Sequence, residues 1–234
     1  MIKAVLFDLD GTLLPMDQDE FLKKYLTLLT IKTAGKGYEP KGFPESIMKA
    51  TMDMIKNDGK RTNEEVFWSS FAKIHGDKVY NDVDYFDEFY ENEFDLAREH
   101  CGYNPRSSEL IKKLKENQIK CILATNPVFP AVATRKRIAW AGLSPEDFDL
   151  ITTYENIGYC KPNTEYFAEI LRRFDLLPEE CIMVGNDVDD DMVAKSIGLK
   201  VFLLKDCLIN KYNKDISDLP QGSFDELENY IFSF

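Results

Sequence analysis

The sequence predicts an α/β fold, a parallel sheet with crossover helices, split near its beginning by an all-helical insertion. Three observations predict it. Four short apolar runs, residues 4–9, 119–124, 181–184 and 201–204, read as buried strands. Helical patterns lie between and after the last three runs, the alternation that crossovers of a parallel sheet require. Residues 17–103 hold no comparable strand run, and their apolar side chains recur at helical intervals instead.

The first run, KAVLFDLDGTLL at residues 3–14, carries two acids, Asp8 and Asp10, at its end and then a Gly11-Thr12 turn. The insertion follows. Phe21, Leu22, Tyr25, Leu26, Leu28 and Leu29 mark its first helix, and Met48, Met52 and Ile55 its second. Val66, Phe67, Phe71 and Ile74 mark a third, and Tyr85, Phe86, Phe89, Tyr90 and Phe94 a fourth. These methionine and aromatic stripes read as helix-packing surface. Residues 35–44 form a loop, and Leu14-Pro15 and residues 102–105 form the hinges. The chain thus divides into a sheet domain, residues 1–15 and 104–234, and a helical domain, residues 16–103.

Leu110, Ile111 and Leu114 lead into the second strand. Tyr166, Phe167, Ile170, Leu171 and Phe174 form a helix closed by Leu176-Leu177-Pro178 ahead of the third. Met192, Val193, Ser196 and Ile197 form the inner face of a further helix stopped by Gly198, and residues 224–234 a short amphipathic helix on the sheet.

With 44% hydrophobic residues in 234, the chain can bury one substantial core plus an accessory domain. Its 41 acidic against 29 basic residues give a net charge of -12, which repels polyanions. Nucleic acid and anionic membrane surfaces are therefore not expected partners. A small phosphorylated metabolite is compatible, because local cations or a metal override the global field at one pocket. No leader-like segment is present, nor any stretch of about 20 apolar residues, so the chain reads as cytoplasmic. The five cysteines are widely spaced without a C-x-x-C pair and read as reduced thiols.

Ligands of open parallel sheets bind beyond the carboxyl ends of the strands, where Asp8 stands. A buried carboxylate there needs a cation or hydrogen bonds. The other strand ends are polar too. The second runs into Thr125-Asn126, and the third into Gly185-Asn186-Asp187 followed by Asp189, Asp190 and Asp191. Lys161-Pro162 lies between them. Carboxylates, a hydroxyl, an amide and one ammonium at a common rim suit a hard divalent cation plus a phosphate, and Mg2+ takes oxygen ligands partly from water and phosphate.

DLDGTLL at residues 8–14, ATN at 124–126, KP at 161–162 and GND with Asp191 four residues beyond Asp187 stand in the order and spacing of the haloacid dehalogenase-like (HAD) hydrolases, which the chain resembles. The resemblance covers essentially the whole sheet domain. It implies a Rossmann-like three-layer parallel-sheet core, and the insertion looks like the family's C1-type helical cap. It also implies a Mg2+-dependent phosphatase working through an aspartyl-phosphate. Asp8 would be the nucleophile and Asp10 the general acid and base, with its main-chain carbonyl on the metal. Lys161 would offset negative charge, while Thr125, Asn126, Gly11 and Thr12 would hold the phosphoryl group. Asp8, Asp10 and either Asn186 or Asp187 would hold Mg2+, and Asp191 would orient Lys161 or a metal-bound water.

Asp189 and Asp190 read as acids capping a helix start. The second acid of the first motif argues against a dehalogenase, whose leaving halide needs no proton. A sugar-phosphate mutase shares all four motifs and stays open, as does a non-catalytic binding or regulatory protein on the same fold. Oligomeric state and substrate are not fixed by the sequence; Met16, Phe21 and Tyr25 are the candidates for selectivity.

Overall fold

The computed structural model describes residues 1–234. Six strands form one parallel sheet: β1 (Ala4–Phe7), β2 (Lys120–Leu123), β3 (Leu150–Ile151), β4 (Cys181–Gly185), β5 (Lys200–Leu204) and β6 (Gln221–Gly222), in the order β3-β2-β1-β4-β5-β6. β1 is central, with Phe7 in register with Leu123 on one side and Val184 on the other. Asp8 therefore leaves the sheet between the tips of β2 and β4. The α/β class read from the sequence is the fold observed.

Strand periodicity divides the core. Val5, Phe7, Leu123, Val184 and Phe202 point to one face, and Ala4, Leu6, Ile122, Met183 and Val201 to the other. Both faces are covered, which is why these strands read as unbroken apolar runs. β3 and β6 escaped the sequence reading because each is two residues long. Such runs carry no period.

Between β1 and β2 lie α1 (Gln18–Ala34), α2 (Phe43–Ile55), α3 (Asn63–His75) and α4 (Val83–Asn92). Asp17 caps α1 by accepting from the Glu20 amide at 3.1 Å, and Thr62 with Glu65 forms a reciprocal capping box on α3. The two connecting strands of chain run side by side, Gly102 N donating to Pro15 O at 2.7 Å and Asp17 N to His100 O at 3.2 Å. α3 makes a second attachment. Its buried Asn63 donates from Nδ2 to Pro127 O at 3.2 Å and from its amide to Ile157 O at 3.0 Å.

Two details differ from expectation. α2 buries Phe43, Ile47, Ala50 and Met54, leaving Met48 and Met52 exposed. Residues 192–197 form a 3-10 turn stopped by Gly198, in which Met192 and Ala194 are buried while Ser196 is exposed. A three-residue repeat presents a narrower face than the α-helical one assumed.

The remaining helices are α5 (Pro105–Glu116), α6 (Ala131–Trp140), α7 (Thr164–Arg173) and α8 (Phe224–Ile231). α5, α6 and α8 cover the Phe7 face together with the insertion, and α7 covers the Leu6 face. No helix is long and apolar enough to cross a membrane.

Candidate active site

β1 ends in a tight loop. Thr12 N and Leu14 N both donate to Leu9 O, at 3.1 and 2.8 Å, and Gly11 sits at φ +86°. A side chain there would be strained and its Cβ would fall 2.3 Å from the Asn186 amide, so glycine lets this loop lie against the one after β4. Thr12 Oγ1 joins the two loops by donating to Asn186 Oδ1 at 3.0 Å. Asn186 Nδ2 in turn donates to Cys207 O at 2.7 Å, which fixes the amide's orientation.

The strand tips bound a pocket of about 210 Å³ lined by Asp8, Asp10, Thr125, Asn126, Lys161, Asn186, Asp187, Asp190 and Asp191. Every polar residue singled out for catalysis or metal binding thus lines one cavity; Gly11 and Thr12, expected to hold the phosphoryl group, do not line it and instead pack against Asn186. Met16 and Phe21 line it too, whereas Tyr25 lies in an adjoining apolar space.

Lys161 is buried on the pocket floor, its Nζ 2.9 Å from Asp8 Oδ1 and 2.6 Å from Asp191 Oδ1. Burial works against its charge, but Asp191 and Asp8 outweigh that and push its pKa up. The ammonium is therefore permanent at neutral pH. Burial pushes the Asp191 carboxyl upward against the pull of Lys161. Asp191 Oδ2 also accepts from the Asp187 amide at 3.0 Å, so this acid holds both the lysine and the β4 loop. Thr125 is positioned by its carbonyl, which accepts from Thr152 Oγ1 at 2.8 Å and from the Tyr166 hydroxyl at 2.9 Å.

Asp187 and Asp190 both line the pocket, but it is Asp187, not Asp190, that caps the turn. Asp187 Oδ1 accepts from the amides of Asp189 and Asp190 at 2.7 and 3.0 Å, so Asp187 caps the turn. Asp190 faces the pocket, accepting from Asn126 Nδ2 at 3.1 Å, and burial raises its pKa. Asp189 pairs with Lys214 at the surface. The helical turn begins only at Met192, with Asp191 in the cap position, so Asp189 and Asp190 lie ahead of the helix start expected of them.

Arg137 and Gln18 were not foreseen. Arg137 is wholly buried on α6, pairs through Nη1 with Asp10 Oδ2 and lies 4.3 Å from the centre of the Phe129 ring. Burial raises the Asp10 pKa to about 6, with Arg137 opposing. Its Oδ1 is buried without a partner, while its main-chain oxygen accepts from Gln18 Nε2 at 2.7 Å. The available signal was Arg137 on the inward stripe of Ala133, Thr134 and Ile138. A long cation in such a stripe implies a buried acid.

The donors are all oxygens, and no three histidine, cysteine or acidic side chains converge on one point. Five acids, Asp8, Asp10, Asp187, Asp190 and Asp191, face only Lys161 and Arg137. That excess of negative charge beside amide and main-chain oxygens suits a hard divalent cation with few protein ligands. The cysteines offer no competing chemistry. Burial pushes the thiols of Cys121, Cys160 and Cys181 up to about 12.

A family model described as haloacid dehalogenase-like hydrolase matches residues 2–198. The chain is 27% identical to a ribulose-1,5-bisphosphate 5-phosphatase of Halopiger xanaduensis, over 87% of this chain and 84% of that one. It is 26% identical to a glyceraldehyde 3-phosphate phosphatase of Methanocaldococcus jannaschii, over 99% and 97%. The crystal structure of a HAD phosphatase from Thermococcus onnurineus superposes with a TM-score of 0.58 at 20% identity, covering 98% of both chains.

Proposed function

The chain belongs to the haloacid dehalogenase-like hydrolases, and from that premise we propose that it is a Mg2+-dependent phosphatase of a small phosphate monoester. Residues 16–103 act as the cap over a catalytic core of residues 1–15 and 104–234. The observation that carries this reading is the placement of Asp8. It is a buried carboxylate at the tip of the central strand, open to the pocket and held at 2.9 Å by the permanent charge of Lys161.

Asp8 attacks phosphorus and the ester P–O bond breaks, leaving the phosphoryl group on the Asp8 oxygen. Asp10 gives a proton to the departing alkoxide. Water then attacks phosphorus, Asp10 recovers a proton from it, and inorganic phosphate leaves with Asp8 restored. The pairing with Arg137 occupies one Asp10 oxygen and leaves Oδ1 to carry the proton. Thr125 and Asn126 border the phosphoryl oxygens, and Lys161 offsets their charge.

Mg2+, when bound, screens the repulsion between phosphate and carboxylate. Asp8, the Asp10 main-chain carbonyl and Asn186 would hold it. Asn186 is favoured over Asp187 because its loop lies directly against Gly11 and Thr12 of the Asp8 loop, although Thr12 donates to its Oδ1, whereas Asp187 caps two amides through Oδ1 and has only Oδ2 to offer. The relatives named for ribulose bisphosphate and glyceraldehyde 3-phosphate agree with a small phosphorylated metabolite as substrate.

Phosphate release from a panel of phosphorylated metabolites and simple esters tests the reading, with Mg2+ and with a chelator. Turnover is expected only with Mg2+, and Asp8→Asn should abolish it while leaving the folded state nearly as stable. Phosphate release that survives Asp8→Asn would overturn the assignment.

A further inference from the structure

Behind the acidic pocket lies a second cavity, of about 190 Å³, enclosed between the insertion and the loop after β2. Leu22, Val128 and Phe129 belong to the walls of both, so the second space adjoins the phosphoryl site across these three side chains. Twelve of its fourteen lining residues are hydrophobic. Protein interiors rarely leave voids much larger than a water molecule. This void sits among tightly packed rings, including Tyr25, Phe67, Trp68 and Phe86, which pack edge-on and stacked against their other neighbours. A dry apolar cavity of about 150 Å³ already accommodates benzene.

The chamber offers a polyhydroxylated guest few free polar groups: Thr51 Oγ1 already donates to Ile47 O at 3.0 Å, and the Tyr154 hydroxyl stands beside Trp68. The Tyr25 and Tyr90 hydroxyls hydrogen-bond each other at 2.8 Å and so satisfy themselves. Trp68 is buried, and its Nε1 makes no hydrogen bond of normal geometry, although the Tyr154 hydroxyl on the same wall stands close enough to interact with it. An indole N–H without a well-formed hydrogen bond in an apolar chamber is costly, and a ligand acceptor placed there relieves that cost. Met48, exposed rather than packed, supplies a flexible apolar side chain to the same wall.

Resting on the phosphatase reading above, we infer that the substrate's leaving group is an apolar, ring-sized alcohol. Its body fills the chamber, and one hydrogen-bond acceptor at its far end meets Trp68 Nε1. The phosphate lies among Asp8, Thr125, Asn126 and Lys161, and the carbon skeleton passes Leu22 and Phe129 into the space beyond. The sugar phosphates for which the relatives are named would place several hydroxyls against aromatic carbon, each losing hydrogen bonds to water.

The test uses the full chain with Mg2+ and a series of esters whose leaving alcohols are of similar acidity, so that binding rather than leaving-group chemistry sets the order. From methyl to butyl to benzyl phosphate, kcat/KM should rise by about ten- to a hundredfold, the worth of burying a side chain of that size. Benzyl phosphate should also exceed glyceraldehyde 3-phosphate. Thr51→Trp, which narrows the chamber, should bring the benzyl-to-methyl ratio toward one. Trp68→Phe should remove a preference for 4-methoxybenzyl over 4-ethylbenzyl phosphate. Equal kcat/KM for methyl and benzyl phosphate, or a preference for glyceraldehyde 3-phosphate, would overturn the inference. Calorimetric titration with methylphosphonate and benzylphosphonate reads the chamber without turnover. Benzylphosphonate should bind at least tenfold more tightly, and equal affinities would again overturn the inference. Failure to hydrolyse any ester, with that affinity difference intact, counts against the phosphatase reading alone.

Discussion

Replacing Arg137 by methionine removes the only cation that contacts the Asp10 side chain, and the cost follows from the geometry. The guanidinium is fully buried, pairs with Asp10 Oδ2, donates to Thr134 Oγ1 at 3.3 Å and stacks 4.3 Å from the centre of Phe129. Removing one member of a buried ion pair costs about 3–5 kcal/mol, because the other charge is left without compensation. The Asp10 side chain keeps 20% of its surface, so solvent recovers part of that. Methionine also retains part of the packing. A loss of about 2–4 kcal/mol is expected, which for a chain of this length lowers the melting temperature by roughly 5–15 °C. Urea unfolding of Arg137→Met, Asp10→Asn and the double variant reads the coupling directly. The double variant should be at least about 1.5 kcal/mol more stable than the sum of the single losses predicts. An Arg137→Met protein within about 0.5 kcal/mol of wild type, or strictly additive losses, would refute the buried-pair reasoning.

Two further substitutions probe the site and the insertion. Gly185→Ala would place a Cβ 2.0 Å from Asp191 Oδ2, forcing that acid off Lys161 and off the Asp187 amide. A destabilisation of about 1–3 kcal/mol is expected, together with a fall in kcat measured on any ester the wild type turns over; unchanged kcat would show that Asp191 does not position Lys161. His75 packs tilted against Phe71 with 4.4 Å between ring centres and shares a 2.8 Å hydrogen bond with Ser46. Burial, helped by Lys78, lowers its pKa below the ordinary 6.5. As pH falls through about 6.5 the unfolded chain takes up this proton before the folded one does, so His75 costs stability progressively below that pH and nothing above it. Unfolding free energies of His75→Gln should therefore decline less steeply than wild type on acidification, and parallel curves would contradict the shift.

The sheet was legible because strands covered on both faces must be apolar throughout, and β1, β2, β4 and β5 each show that run. The polar residues at their tips were legible for the complementary reason. Nothing in a buried strand explains Asp8, so its partners had to stand at the same rim, where Thr125 and Asn186 follow the neighbouring strands and Lys161 the loop before α7. Arg137 was overlooked because its partner Asp10 is 127 residues away, so the inward stripe of α6 signals a buried acid without saying which one. That Asp187 rather than Asp190 caps the turn was hidden for a different reason. Adjacent acids in a turn differ only in backbone direction, which residue type does not encode. Helical spacing likewise identified α2 without revealing which face it buries, so Met48 was assigned to packing although it borders the apolar chamber.

The central claim is that Asp8 carries the phosphoryl group between the two half-reactions. Acid quenching during the first turnover, followed by proteolysis and mass spectrometry, reads this most directly. The account predicts a phosphoryl adduct on Asp8 in the peptide spanning the first strand, appearing before free phosphate reaches its steady rate. Phosphate released in that first turnover with Asp8 never modified would contradict it.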